Sequence, residues 1–117
     1  MRVWLLWGLL LGSAEVLAQA CVVETQGAGV QVKVCQQNRS IPATMFREGF
    51  CAPQLKGQQV TVSFVEQCPI GAFGICRDAQ VAGTLYRQDV HYYGVASDAR
   101  LLKPACERQY RGVWTAY

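Results

Sequence analysis

Six cysteines, one histidine and two aspartates flanking a single turn are the residues of this chain on which chemistry would draw. The cysteines are Cys21, Cys35, Cys51, Cys68, Cys76 and Cys106, and they admit metal ligation, thiol redox exchange or disulfide stapling. Zinc sites set paired thiols about two to four residues apart, with a second pair or histidines beside them. Cys68 and Cys76 lie further apart than that, and His91 stands alone as a histidine. The redox signature C-x-x-C is absent. Stapling is the reading that fits: a small exported domain buries too little apolar surface for much stability, and each disulfide closing a long loop adds about 3 kcal/mol. The sequence leaves the connectivity open.

Hydrolytic chemistry has fewer supports. Ser40, Ser63 and Ser97 do not sit in a nucleophile turn, and two of them, Ser40 and Ser97, read as helix caps. Asp78 and Asp89 flank the Gly83 turn and could approach one another as a glycosidase-like pair. The plainer reading makes them solvated acids beside Arg77 and Arg87. His91, between Val90 and Tyr92, reads as a surface or hydrogen-bonded histidine, because a general base needs a positioned partner. No metal, cofactor or catalytic set is expected. Recognition remains, with Phe73, Tyr93, Arg87 and His91 as the expected partner-binding residues, since aromatic residues and Arg are the usual anchors of protein interfaces.

Alternating apolar residues mark the elements that must carry these groups. Val22–Thr25 reads as a strand, Gln26-Gly27-Ala28-Gly29 as a turn, and Val30, Val32 and Val34 as one face of a second strand with Cys35 on the other. Ile41, Met45, Phe46 and Phe50 recur at helical spacing behind Ser40 and Pro42, predicting a helix of about three turns. Val60, Val62 and Phe64 define a third strand. Thr84–Tyr93 is a fourth, with Tyr86, Val90 and Tyr92 opposite Leu85, Arg87, Asp89, His91 and Tyr93. Leu101, Leu102, Ala105 and Cys106 predict a second helix behind Ser97 or Asp98, short or kinked at Pro104. Val113–Tyr117 closes the chain as a strand. Between the third and fourth strands, Cys68 to Cys76 reads as an apolar connector with tied ends and Phe73 held at its tip.

The chain of 117 residues has room for one domain. Residues 1–20 read as a signal peptide: Arg2 is the basic start, Val3 to Leu11 the short apolar run, and Ala18-Gln19-Ala20 the cleavage site. The mature domain is then 21–117, exported to the periplasm or outer membrane, or secreted. Losing Arg2 and Glu15 leaves the net charge at +3, without a basic block, so a nucleic-acid partner is not expected. No transmembrane segment is expected in the mature chain. Cys21 directly after the cleavage site raises the alternative of a lipid anchor on its sulfur, although Ala18 and Gln19 fit a lipobox poorly and an even set of six cysteines favours full pairing.

Two stretches match one another. Cys51-Ala52-Pro53-Gln54-Leu55-Lys56-Gly57 and Cys106-Glu107-Arg108-Gln109-Tyr110-Arg111-Gly112 share Cys, Gln and Gly, and each follows a predicted helix and precedes a predicted strand. A cysteine near each helix end pins it to sheet or loop, and the glycine permits a left-handed helix stop. The match predicts two strand-helix-strand halves. Cys68-Pro69, Gly74-x-Cys76, Tyr92-Tyr93, Cys106 and Gly112-x-Trp114 together resemble a group of small, exported, mostly uncharacterised bacterial envelope proteins, many of them lipoproteins. The resemblance spans residues 35 to 114, and it implies export without lending any catalytic residue.

The expected fold is a small α+β domain, an antiparallel sheet of about five strands with two short helices on one face. The expected function is non-enzymatic binding of another envelope or secreted protein, as an inhibitor, immunity factor or accessory subunit. The alternatives are a small envelope hydrolase using Asp78, Asp89 or His91 on glycan or peptidoglycan, and a structural lipoprotein anchored at Cys21.

Overall fold

The computed structural model describes residues 19–27, 30–51 and 59–117. Most of the expected signal peptide, and the exit motif after Cys51, lie outside these residues. The elements run β1 (Ala20–Gly27), β2 (Val30–Asn38), a first helix (Ala43–Met45, continuing as a wider π-type turn over Phe46–Phe50), β3 (Gln59–Val65), β4 (Gly74–Gln80), β5 (Arg87–Tyr92), a second helix (Ala99–Arg108) and β6 (Val113–Ala116). The strands form one antiparallel sheet in the order β3-β1-β2-β5-β4-β6. Among the described residues no helix is long and apolar enough to cross a membrane.

Alternation decides which side of the sheet meets the helices. Val23 lies between Val34 and Val62 across the β2-β1-β3 ladder, and with Cys21 it packs on Ile41, Phe46 and Cys51 of the first helical segment. Phe46 is fully buried. Val34 joins this cluster, while its β5 partner Tyr92 packs with Trp114 on the cluster of Cys76, Ala79 and Cys106. Both helices therefore cover the same face.

The disulfides fix this arrangement. Cys21 bonds Cys51 and Cys76 bonds Cys106, each pair 30 residues apart, so each helix-end cysteine joins a sheet cysteine as expected. Cys35, on the opposite face, bonds Cys68.

Several local expectations give way to better hydrogen-bonding solutions. The sheet has six strands, because the second half of the expected connector, from Gly74, is β4, between β5 and β6. Gly74 is necessary there: a Cβ at that position would run into the Trp114 ring. The fourth expected strand begins only at Arg87, since Thr84 and Tyr86 are held in a turn by Thr84 Oγ1, which donates to Val81 O and accepts from Tyr86 N–H.

Ser40 does not cap the first helix. Its Oγ accepts the Arg87 N–H at 2.8 Å, and Asn38 shapes the turn by exchanging hydrogen bonds with the Ile41 N–H and carbonyl at 2.8 and 2.7 Å. The helix is accordingly shorter than three turns. Pro104 lies inside the second helix without ending it, on an exposed stretch where water can solvate the carbonyl it leaves unpaired. At that helix's end the left-handed residue is Arg111, with φ of 53°, and not Gly112. Gly112 serves close approach instead: a Cβ there would stand 2.6 Å from Cys76 Sγ and 2.8 Å from the Arg77 carbonyl.

Candidate functional site

The helix-free face of the sheet carries Lys33, Cys35, Ile75, Arg77, Asp89 and His91, set there by the registers that pair Cys35 with His91 and Ile75 with His91. Over it runs the connector from Glu66 to Phe73. Attachments at Cys68 and Pro69 hold the middle of this segment. Cys68 is bonded to Cys35 on β2, and its N–H donates to Gln37 Oε1 at 3.1 Å. One residue on, the Pro69 carbonyl accepts the Tyr93 hydroxyl at 2.6 Å. Lys33 stacks on the Tyr93 ring, its Nζ 5.0 Å from the centroid. Burial pushes the Tyr93 phenol above its ordinary pKa, so the hydroxyl stays protonated and able to donate.

Between the held connector and the sheet lies a groove of about 660 Å³, its walls formed by Pro69, Ile70, Phe73, Ile75, His91 and Tyr117. Most of these are apolar, and His91 supplies a polar group in the wall. Burial lowers the His91 pKa; Asp89 opposes that shift and Arg77 adds to it. At neutral pH the imidazole is therefore an uncharged donor and acceptor.

Phe73 is not the tip of the connector. Its N–H donates to Tyr92 O at 2.9 Å and its carbonyl accepts from Tyr117 N–H at 3.0 Å, which places it at the start of the sheet between β5 and the end of β6. The side chain presented to solvent is Ile70, 98% exposed. Phe73 lines both this groove and a smaller one, of about 310 Å³, beside Leu101 and Leu102 of the second helix.

Beside the groove a charged cluster occupies the same face. Asp89 is buried, at 5% exposure, which corrects its expected role as a solvated acid. The strand register slips between Cys76 and Ala79, where Asp78 takes a left-handed φ of 58°. That bulge turns the Asp78 N–H toward Asp89 Oδ1, which accepts it at 2.8 Å. Asp89 also accepts from Arg39 Nη1 at 3.2 Å, and Arg77 stands 3.9 Å away. Asp78 stays exposed, 3.6 Å from Arg39 Nε and 3.9 Å from Arg87 Nη1. The two aspartates do meet, as the sequence allowed, but arginines and a backbone N–H take up the Asp89 oxygens.

No family model, curated protein or solved structure matches this chain.

The four expected contact residues therefore divide. Phe73 and His91 line one groove, and Tyr93 fastens its wall without lining it. Arg87 lies at the far end of β5, where its Nη1 donates to the Asp78 carbonyl at 2.9 Å. Ile70 was missed, and Tyr117 stands outside the four. Ile70 stands between a cysteine-proline and a glycine, a local sign of an exposed side chain, whereas nothing local ties the chain end to Phe73.

Among the described residues no three His, Cys, Asp or Glu side chains converge as metal ligands, and all six cysteines are paired. The Cys21 sulfur is bonded to Cys51. That bond and a thioether to lipid exclude one another.

Proposed function

We propose that this is an exported, non-enzymatic protein that binds another envelope or secreted protein through the groove between the Cys68–Phe73 connector and the open face of the sheet. The observation that carries the reading is the bracing of the connector. The Cys35–Cys68 bond and the Tyr93–Pro69 hydrogen bond hold it over the sheet while leaving Ile70 bare. A lone exposed aliphatic side chain is ordinary on a protein surface; one braced beside an apolar groove extends that groove into a continuous contact surface. Pre-ordering also lowers the entropy lost on association.

The partner would insert an apolar side chain between Ile70 and His91 and set an acidic group near Arg77, whose side chain is 40% exposed. Arg39, Arg77 and Arg87 outnumber Asp78 and Asp89, leaving the neighbouring surface basic.

The reading includes an internal duplication, as the match between the Cys51 and Cys106 stretches predicts. The halves would be β1-β2-helix-β3 and β4-β5-helix-β6. The sheet order reads the same from either edge once the halves are exchanged, and each half staples its helix end to its own first strand. The connector joins the two halves and belongs to neither, so it can serve contact without disturbing either half.

Capture from an extract of the producing cells tests the proposal. The wild-type protein should retain a specific partner, and Ile70→Asp, which alters an exposed side chain and should leave the melting temperature unchanged, should retain at least tenfold less. Equal recovery with both proteins would remove the groove from the account.

A further inference from the structure

The two edges of the sheet are unequal. β6 is four residues long, a length that gives an intruding strand little to pair with. β3 is seven residues long, Gln59-Val60-Thr61-Val62-Ser63-Phe64-Val65, with no charge, proline or glycine. Native sheets blunt such edges with lysine, proline, a bulge or a covering segment. Among the described residues β3 pairs on one side alone, with β1.

The order of side chains says which strand fits. Phe64, Val62 and Val60 lie opposite Cys21, Val23 and Thr25 and so belong to the helix face. Val60 and Val62 reach the core, whereas Phe64 remains 42% exposed. Thr61 and Ser63 lie exposed on the other face. An antiparallel copy of the same strand, related by a two-fold axis through Val62, would set Phe64 against Val60, Val62 against Val62, Thr61 against Ser63 and Gln59 against Val65. Apolar residues meet on the helix face, hydroxyls meet on the other, and no like charges oppose. The first helix adds to the same surface, since Arg47 stacks on the Phe64 ring with its guanidinium carbon 5.5 Å from the centroid.

We propose that β3 is a self-pairing edge, and that two copies join antiparallel through it into one twelve-stranded sheet. The dimer closes on itself, because a two-fold contact uses both β3 edges and leaves the short β6 edges outermost. Two grooves would then lie on the same open face, one in each protomer. This proposal is independent of what the groove binds.

Sedimentation of the disulfide-intact exported protein at 1 to 100 μM, on the order of ordinary dimer affinities, should give twice the monomer mass. Thr61→Lys/Ser63→Lys sets two lysine pairs across the axis and should weaken association at least tenfold. Both positions are exposed, and Glu24 faces Thr61 within the monomer, so the variant should keep its fold. Register is read separately by mixing Thr61→Cys protein with Ser63→Cys protein. The mixture should form an intermolecular disulfide between the two sites, and neither protein alone should form it. A wild-type monomer throughout this range would overturn the proposal. So would a dimer indifferent to both lysines, or a β3 edge that crosslinks to a different protein instead of to itself.

Discussion

The Tyr93 hydroxyl donates to the Pro69 carbonyl at 2.6 Å, fastening the connector to the sheet one residue beyond its disulfide. A covalent bond and a hydrogen bond side by side fix the direction in which the chain leaves Cys68. Tyr93→Phe keeps the ring under Lys33 and removes the hydroxyl alone. It should cost at most about 1 kcal/mol in urea unfolding, since the site is partly solvated. Amide exchange at Phe73, whose N–H donates to Tyr92 O, should accelerate by more than that loss explains, because the connector would swing about Cys68.

His91 is the sole histidine, and burial holds its pKa below the ordinary value of 6.5. The unfolded chain therefore takes up a proton at a higher pH than the folded protein does. The stability that the neutral ring provides is complete above 6.5 and falls as pH drops from there through the lower, folded value. Melting temperature should decline over that interval in the wild type. His91→Gln should flatten this part of the profile and leave the more acidic part, where carboxylates titrate, in place.

Asp89 is predicted to be structural. It satisfies the bulge N–H at Asp78 and gathers Arg39 and Arg77. Asp89→Ala should cost about 2 kcal/mol, because it strands a backbone donor and removes the shared partner of two guanidinium groups. Asp89→Asn keeps an acceptor for the N–H and should cost less. Denaturant unfolding of the two variants gives the comparison, and equal losses would mean that charge alone matters there.

Arg111 and Gly112 should respond in opposite senses. Arg111 holds a positive φ, so Arg111→Gly relieves backbone strain and should be neutral or stabilising by up to about 1 kcal/mol. Gly112→Ala forces a methyl against Cys76 Sγ and the Arg77 carbonyl and should cost about 2 kcal/mol or more. Thermal unfolding of each variant checks both signs.

The sequence disclosed those parts of the fold whose pattern is local. The alternation of Val60, Val62 and Phe64, and of Val32 and Val34, marked β3 and β2 because one face of each meets the helices. Cys51 and Cys106 announced that they staple helix ends to the sheet. β4 escaped because Gly74, Cys76 and Ala79 are small residues chosen to let Trp114 and Cys106 approach, and because the bulge at Asp78 breaks the alternation. The site was legible in the same uneven way. The connector stood out by its cysteines, yet the identity of its exposed residue depended on Phe73 pairing with Tyr92 and Tyr117, and such long-range hydrogen bonds leave no local signature.

A photo-reactive amino acid at Ile70, introduced in the cells that make the protein, tests the central claim most directly. Leu85, 88% exposed and outside the groove walls, is the control. The account predicts one discrete crosslinked protein from position 70, lost when Phe73→Ala is added, and none of the same mass from position 85. No adduct from position 70, or the same adducts from both positions, would contradict it.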